Sequence, residues 1–125
     1  MKKIIKTQKA PTPLGPYSQG IQAGNFLFVS GQVAIDPKEG RIIASGIKAQ
    51  TIQTMENIKA ILEAAGYSFS DVVQCNVYLS SMKLFTEFNT EYGKYFDKDF
   101  PTRATAGIEL MPGALVEISA VAYKE

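Results

Sequence analysis

The chain has 125 residues, 46% of them apolar, with 13 basic and 12 acidic side chains and a net charge of +1, values that suit one domain with one core. The near-balance of charge gives no electrostatic reason to expect nucleic acid as a partner, and no apolar run approaches the ~18 residues of a membrane span. With no histidine and a single cysteine, Cys75, the chain excludes Ser-His-Asp and Cys-His catalysis, zinc sites of the histidine or thiolate kind, and any internal disulfide.

The amino terminus, MKKIIKTQKAP, is basic but lacks an apolar h-region, so no signal peptide is expected, and a lone thiol fits a reducing, cytoplasmic setting. KKIIK reads as a short edge strand. KAPTPLGP, with three prolines and a glycine, cannot be regular structure. YSQGIQA and FLFVSG read as two strands around a Gly24-Asn25 turn. DPKEG is a second turn, followed by a short strand RIIAS. Residues 46–65 have helical spacing, with Ile47, Thr51, Met55, Ile58, Leu62 and Ala65 on one face and Gly66 as the stop.

DVVQCNVYLSS alternates as a strand, placing Val73, Cys75, Val77 and Leu79 on one face; Cys75 is expected to be a buried small hydrophobe. SMKLFTEFNTEYGKYF is helical again, with Phe85, Phe88, Tyr92 and Phe96 in line as core packing and Pro101 closing the stretch. TRATAGIEL and ALVEISAVAY are strands joined by MPG. The order β-β-β-α-β-α-β-β predicts a single α+β domain over 1–125, a mixed sheet with two helices on one face. The other sheet face is left bare and rather apolar, which predicts a homo-oligomer.

Neither a P-loop nor a GxGxxG phosphate loop occurs. Glu, Asp, Lys, Tyr, Arg and backbone amides must carry any chemistry. Arg103, in FPTRAT, is one of two arginines in the chain. Alternation puts Arg103 and Thr105 on one face and Ala104 and Ala106 on the other. It either lies over a solvated sheet face or, with small neighbours leaving room, presents a planar fork to a carboxylate. Glu117 stands in ALVEISAVA, where every other residue is apolar or small; it is a structural ion pair, an edge-strand charge or a functional carboxylate. A tight hairpin at Met111-Pro112 would pair Arg103 near Ala120 and set Glu117 on the opposite face. The two then meet only through a bulge that shifts the register, or across a subunit boundary. Tyr17, after PLGP, is a core ring or a site hydroxyl held by a rigid loop. Ser30-Gly31 is a simple turn or a place of close backbone approach with an exposed N–H. Asn89 interrupts the apolar helix face as a surface or site amide.

GPYSQG at 15–20, SGQ at 30–32, NIKAILEAAG at 57–66 and PTRAT with a downstream VEI resemble the RidA/YjgF family of reactive-intermediate deaminases along essentially the whole chain. The resemblance implies a chorismate-mutase-like α+β fold, a homotrimer around a barrel-like core, and active clefts between subunits. It implies hydrolysis of 2-imino acids and their enamines, such as 2-iminobutanoate and 2-iminopropanoate, to 2-oxo acids and ammonia, with no cofactor and no metal. It places the carboxylate-binding role on Arg103, the water-positioning role on Glu117 and the site tyrosine on Tyr17. Ser30 and Gly31 become strand-end contacts and Asn89 the cleft asparagine. Many members carry a cysteine where this chain has Thr105: if the family contact is a backbone amide, threonine serves equally; if it is the thiol, the rate or its sensitivity to modification differs. Two rival readings remain: a ribonuclease or translation inhibitor, which asks for a basic surface this composition does not offer, and a 2-oxo acid-binding regulatory or chaperone-like module in which the same cleft performs no chemistry.

Overall fold

The computed structural model describes residues 1–125. Its strands are β1 (Lys2–Ile5), β2 (Gly20–Ala23), β3 (Phe26–Gln32), β4 (Val72–Leu79), β5 (Thr102–Gly107) and β6 (Val116–Tyr123); its helices are α1 (Gly46–Ala64) and α2 (Phe85–Gly93). The strands form one six-stranded sheet in the order β1-β2-β3-β6-β4-β5. All neighbours are antiparallel except β4 and β5, which α2 joins by a parallel crossover.

The β2–β3 turn is where the sequence puts it. Gly24 has a φ of 60°, the left-handed geometry that the first position of this tight hairpin turn requires. α1 forms because its apolar residues recur every three to four positions. Ile47, Thr51, Met55, Ile58 and Leu62 are all buried, on the face predicted from spacing. Ile47, Met55, Ile58 and Leu62 share one buried cluster with Leu27, Val29, Cys75, Val77, Leu79, Ile118 and the buried rings of α2, Phe88 and Tyr92. Each fully buried aliphatic chain in this layer contributes roughly 1.5–3 kcal/mol.

Along β6, Val116, Ile118, Ala120 and Ala122 are buried under the helices, while Glu117, Ser119 and Val121 alternate outward. The face they reach has no helix on it. Ile4, Ile21, Phe28 and Val121 line up there across four strands, and Phe26 packs its ring on Tyr123 at 5.0 Å between centroids. Ile4, Phe26, Phe28 and Tyr123 are exposed in the single chain, as the bare-face expectation requires.

Four local expectations are corrected. RIIAS is not a strand: a single bridge, Ile35 to Ile42, is all that forms. The Asp36 carboxylate holds the preceding turn by accepting from the N–H of Lys38 and Glu39, both at 2.9 Å, and no ladder continues beyond it. Val73 is not on the core face. The β4–β6 register slips between Val72 and Gln74, so Val72 is buried and Val73 turns out; a bulge inserts one residue and reverses the phase before it. α2 ends at Gly93 rather than near Pro101, although Phe96 still tucks into the core. TRATAGIEL and ALVEISAVAY do not form a hairpin, because β4 lies between β5 and β6.

Candidate functional site

β5 is the free edge of the sheet, beyond β4. Its parallel register sets Arg103 beside Cys75 and Thr105 beside Val77. Partners in register share a face, so Arg103 and Thr105 lie on the helix-covered side. From there an arginine side chain reaches α2. One Nη of Arg103 donates to Asn89 Oδ1 at 2.9 Å. The guanidinium carbon lies 5.1 Å from the centroid of Tyr92, 5.5 Å from Phe85 and 5.7 Å from Phe88. No carboxylate pairs with it: the ion pairs of the chain are Arg41–Glu39 and Lys94–Glu91. The guanidinium lines an open depression of about 460 Å³ with Asn89, Tyr92, Gly93, Phe100 and Pro101.

Backbone groups add to this. The Ile108 N–H donates inward to Leu79 O at 2.9 Å. Parallel ladders alternate inward and outward residues, so the N–H groups of Arg103, Thr105 and Gly107 point out from the edge. The Thr105 hydroxyl is buried without a partner. Beneath Arg103, burial raises the pKa of the Cys75 thiol, while the Tyr92 hydroxyl and the Arg103 charge partly oppose that rise. Burial also pushes the Tyr92 phenol well above its usual range, and the neighbouring Cys75 adds to the effect. The Tyr92 hydroxyl is close enough to Cys75 to couple with it but has no partner of good hydrogen-bond geometry. Both groups therefore stay neutral at ordinary pH. Cys75 is the buried small residue expected from sequence.

A second group of predicted residues gathers on the open face. β3 bulges opposite β6: Val29 pairs with Ala120 and Gln32 with Ile118, leaving Ser30 and Gly31 against Ser119. Glu117 lies over that bulge. A methyl group on Gly31 would fall 2.6 Å from Glu117 Oε2, so only glycine admits the carboxylate at this distance. Ser30 Oγ donates to Ser18 O at 2.5 Å, and the Ser30 N–H donates to Gln19 O at 3.0 Å. Those bonds tie the bulge to the loop carrying Tyr17. The loop is itself pinned by buried Gln19, whose amide bonds Thr7, Ala10 and Pro11. Tyr17 is half exposed; its hydroxyl accepts from the Leu14 N–H at 3.3 Å. Its ring borders a hollow of about 420 Å³ with Ser18, Ile21, Phe28 and Ser30.

The predicted residues thus fall into two sets. Arg103, Asn89 and Thr105 stand together on one side, and Tyr17, Ser30, Gly31 and Glu117 on the other. One chain does not join them. Arg103, Cys75 and Ala120 share one cross-strand row on the helix side. Glu117 is two strands away, about 10 Å by strand spacing, and three residues from that row, about another 10 Å along β6, on the opposite face. The hairpin expected from sequence is absent, yet the row and the opposed faces it implied are both present. Two roles were missed. Gln19 clamps the tyrosine loop, and Phe85, Phe88 and Tyr92, assigned to core packing alone, surround the guanidinium. Asn89 within the same helical spacing was the signal for the second.

No helix of the chain is long and apolar enough to cross a membrane. A family model described as Endoribonuclease L-PSP matches residues 7–124. A RutC family protein of Pyrococcus horikoshii is 53% identical over 126 residues, covering 100% of both chains. A 2-iminobutanoate/2-iminopropanoate deaminase of Mus musculus is 39% identical over 125 residues, covering 99% of this chain and 93% of its own. The crystal structure of RidA from an Antarctic Psychrobacter superposes with a TM-score of 0.94 at 40% identity, covering 98% of this chain and 99% of the other.

Proposed function

The chain belongs to the RidA/YjgF family, and from that premise we propose that it hydrolyses small 2-imino acids, 2-iminobutanoate and 2-iminopropanoate among them, to 2-oxo acids and ammonia. The observation that carries this reading is the guanidinium of Arg103. It stands at a free sheet edge, oriented by a neutral amide and three rings, with no carboxylate of its own. Such a fork is built for an incoming carboxylate. The outward N–H of Thr105 supplies a further donor that needs no particular side chain. The mouse relative named for this activity supports the substrate class.

The site is complete only with a second copy of the chain. Arg103 from one subunit faces Glu117, Gly31, Ser30 and Tyr17 from its neighbour, and the bare apolar face is buried in a homotrimer. Glu117 orients a water and takes its proton as the oxygen attacks the imine carbon. The C=N pair moves to nitrogen, giving a carbinolamine. Glu117 returns the proton to nitrogen, then relays the carbinolamine hydroxyl proton to the same nitrogen; the oxygen pair forms the C=O bond as the C–N bond breaks, releasing ammonia and the 2-oxo acid. Tyr17 donates to substrate or water at the rim. The reaction consumes only water, and positioning plus one base supplies ~10²–10⁴ of proton-transfer acceleration.

The test generates 2-iminobutanoate in place with an amino-acid oxidase, lets semicarbazide compete for it, and follows the semicarbazone. Wild-type protein suppresses the signal and Arg103→Ala does not. A wild-type trimer that leaves the signal unchanged refutes the reading for this substrate.

A further inference from the structure

We propose that Phe85, backed by Phe88 and Tyr92, is a positioning residue that fixes the pose of the Arg103 guanidinium and thereby sets the affinity of the site for a carboxylate; this rests on the imine-hydrolase reading above. An arginine on an exposed edge strand has much rotamer freedom to lose when the side chain is ordered. One hydrogen bond to a neutral amide offsets only part of that. The remaining restraint is aromatic. Three ring centroids stand 5.1–5.7 Å from the guanidinium carbon, inside the ~6 Å range of cation–π attraction.

The choice of rings over carboxylates matters for function. A glutamate or aspartate would orient the guanidinium equally well and neutralise it. Ring faces orient the cation and leave its charge available to the ligand. They also keep water off one side of the fork, which strengthens a charge-assisted bond formed on the other. All three rings, and Asn89 between them, come from α2, so one rigid element presents the whole cradle. Phe88 is fully buried and Tyr92 nearly so, and both serve the core as well. Phe85 is only partly buried and packs at the core's margin, so its two roles can be separated.

The experiment measures 2-oxobutanoate binding to the full-length protein by calorimetry, and KM and kcat for 2-iminobutanoate, in wild type, Phe85→Leu and Phe85→Tyr. Phe85→Leu weakens binding and raises KM about three- to tenfold with kcat within about twofold. Phe85→Tyr, which keeps the ring face, stays within about twofold of wild type. In an Arg103→Met background, Phe85→Leu has no further effect on the residual affinity. Wild-type affinity in Phe85→Leu, or an equal loss with and without Arg103, overturns the inference alone. A wild type that neither binds the 2-oxo acid nor hydrolyses the imine overturns the reading beneath it, and the inference with it.

Discussion

Arg103 and Glu117 are both single charges on strands of otherwise small or apolar residues, and the fold places them by opposite means. Arg103 sits on the outermost strand, exposed, and is held by side chains that a helix brings to it. Glu117 sits on a central strand, half buried, and is held where a neighbouring side chain is missing, over Gly31 at a bulge. The cation is fixed by what surrounds it; the carboxylate is fixed by what was left out. Changes around Arg103 therefore loosen a pose, whereas changes around Glu117 displace a group outright.

The sharpest break in that comparison is loss of the Glu117 carboxylate proposed above as the base. Glu117→Gln keeps the fold and lowers kcat by ~10²–10⁴, measured in the coupled imine assay; unchanged turnover makes Glu117 structural. Arg103→Ala lowers kcat/KM by an amount equivalent to roughly 2–5 kcal/mol, the usual cost of truncating one partner of a charge pair. Its unfolding midpoint moves little, because the residue is exposed at an edge. These two inactive variants also test whether the halves belong to different subunits. When they are dissociated together and reassembled in equal amounts, about a quarter of the interface sites receive an intact Arg103 and an intact Glu117. Activity returns to that fraction if the site spans two copies and stays at zero if it does not.

A smaller change acts on the vacancy alone. Gly31→Ala puts a methyl group 2.6 Å from Glu117 Oε2 and forces the carboxylate aside. We expect kcat to fall about tenfold or more while carboxylate binding is retained, read as a kcat effect with unchanged 2-oxobutanoate affinity. The smallest effect concerns stability. Burial raises the Cys75 pKa above the ordinary thiol value of 9.0. Below pH 9.0 the thiol is protonated in both the folded and unfolded chain, and its contribution to stability is fully present. As pH rises past that value the unfolded chain releases the proton first, so folding free energy falls with pH. Cys75→Ser flattens that alkaline decline in denaturant titrations, at some cost in stability and little in activity. A selective loss of activity in this variant contradicts the buried role of Cys75.

Much of the site was legible in the sequence because strand alternation is local. The two-residue period alone put Arg103 with Thr105, and the register bears that out; the opposed face of Glu117 was expected from a hairpin that does not form, and comes instead through β4, which lies between the two strands. The close approach at Ser30-Gly31 was legible as a glycine at the end of an apolar strand, although the group that needs the space, Glu117, was not. The cradle around Arg103 was hidden for a different reason. Rings spaced to fill a core and rings spaced to hold a cation have the same helical period, and only the location of β5 beside α2 distinguishes them.

The sequence by itself determined the order of the elements, the buried face of α1 and the bare face of the sheet. Each follows from interactions within a few residues, periodicity and turn chemistry. Tertiary structure decided which strands are neighbours. β6, the last strand in the chain, lies between β3 and β4, where Val116, Ile118, Ala120 and Ala122 gain full burial under the helices. That displaces β5 to the edge and leaves Arg103 exposed there, beside α2. Alternation says which way a side chain points. The neighbour of its strand is chosen by which strand gains most from a place in the middle of the sheet.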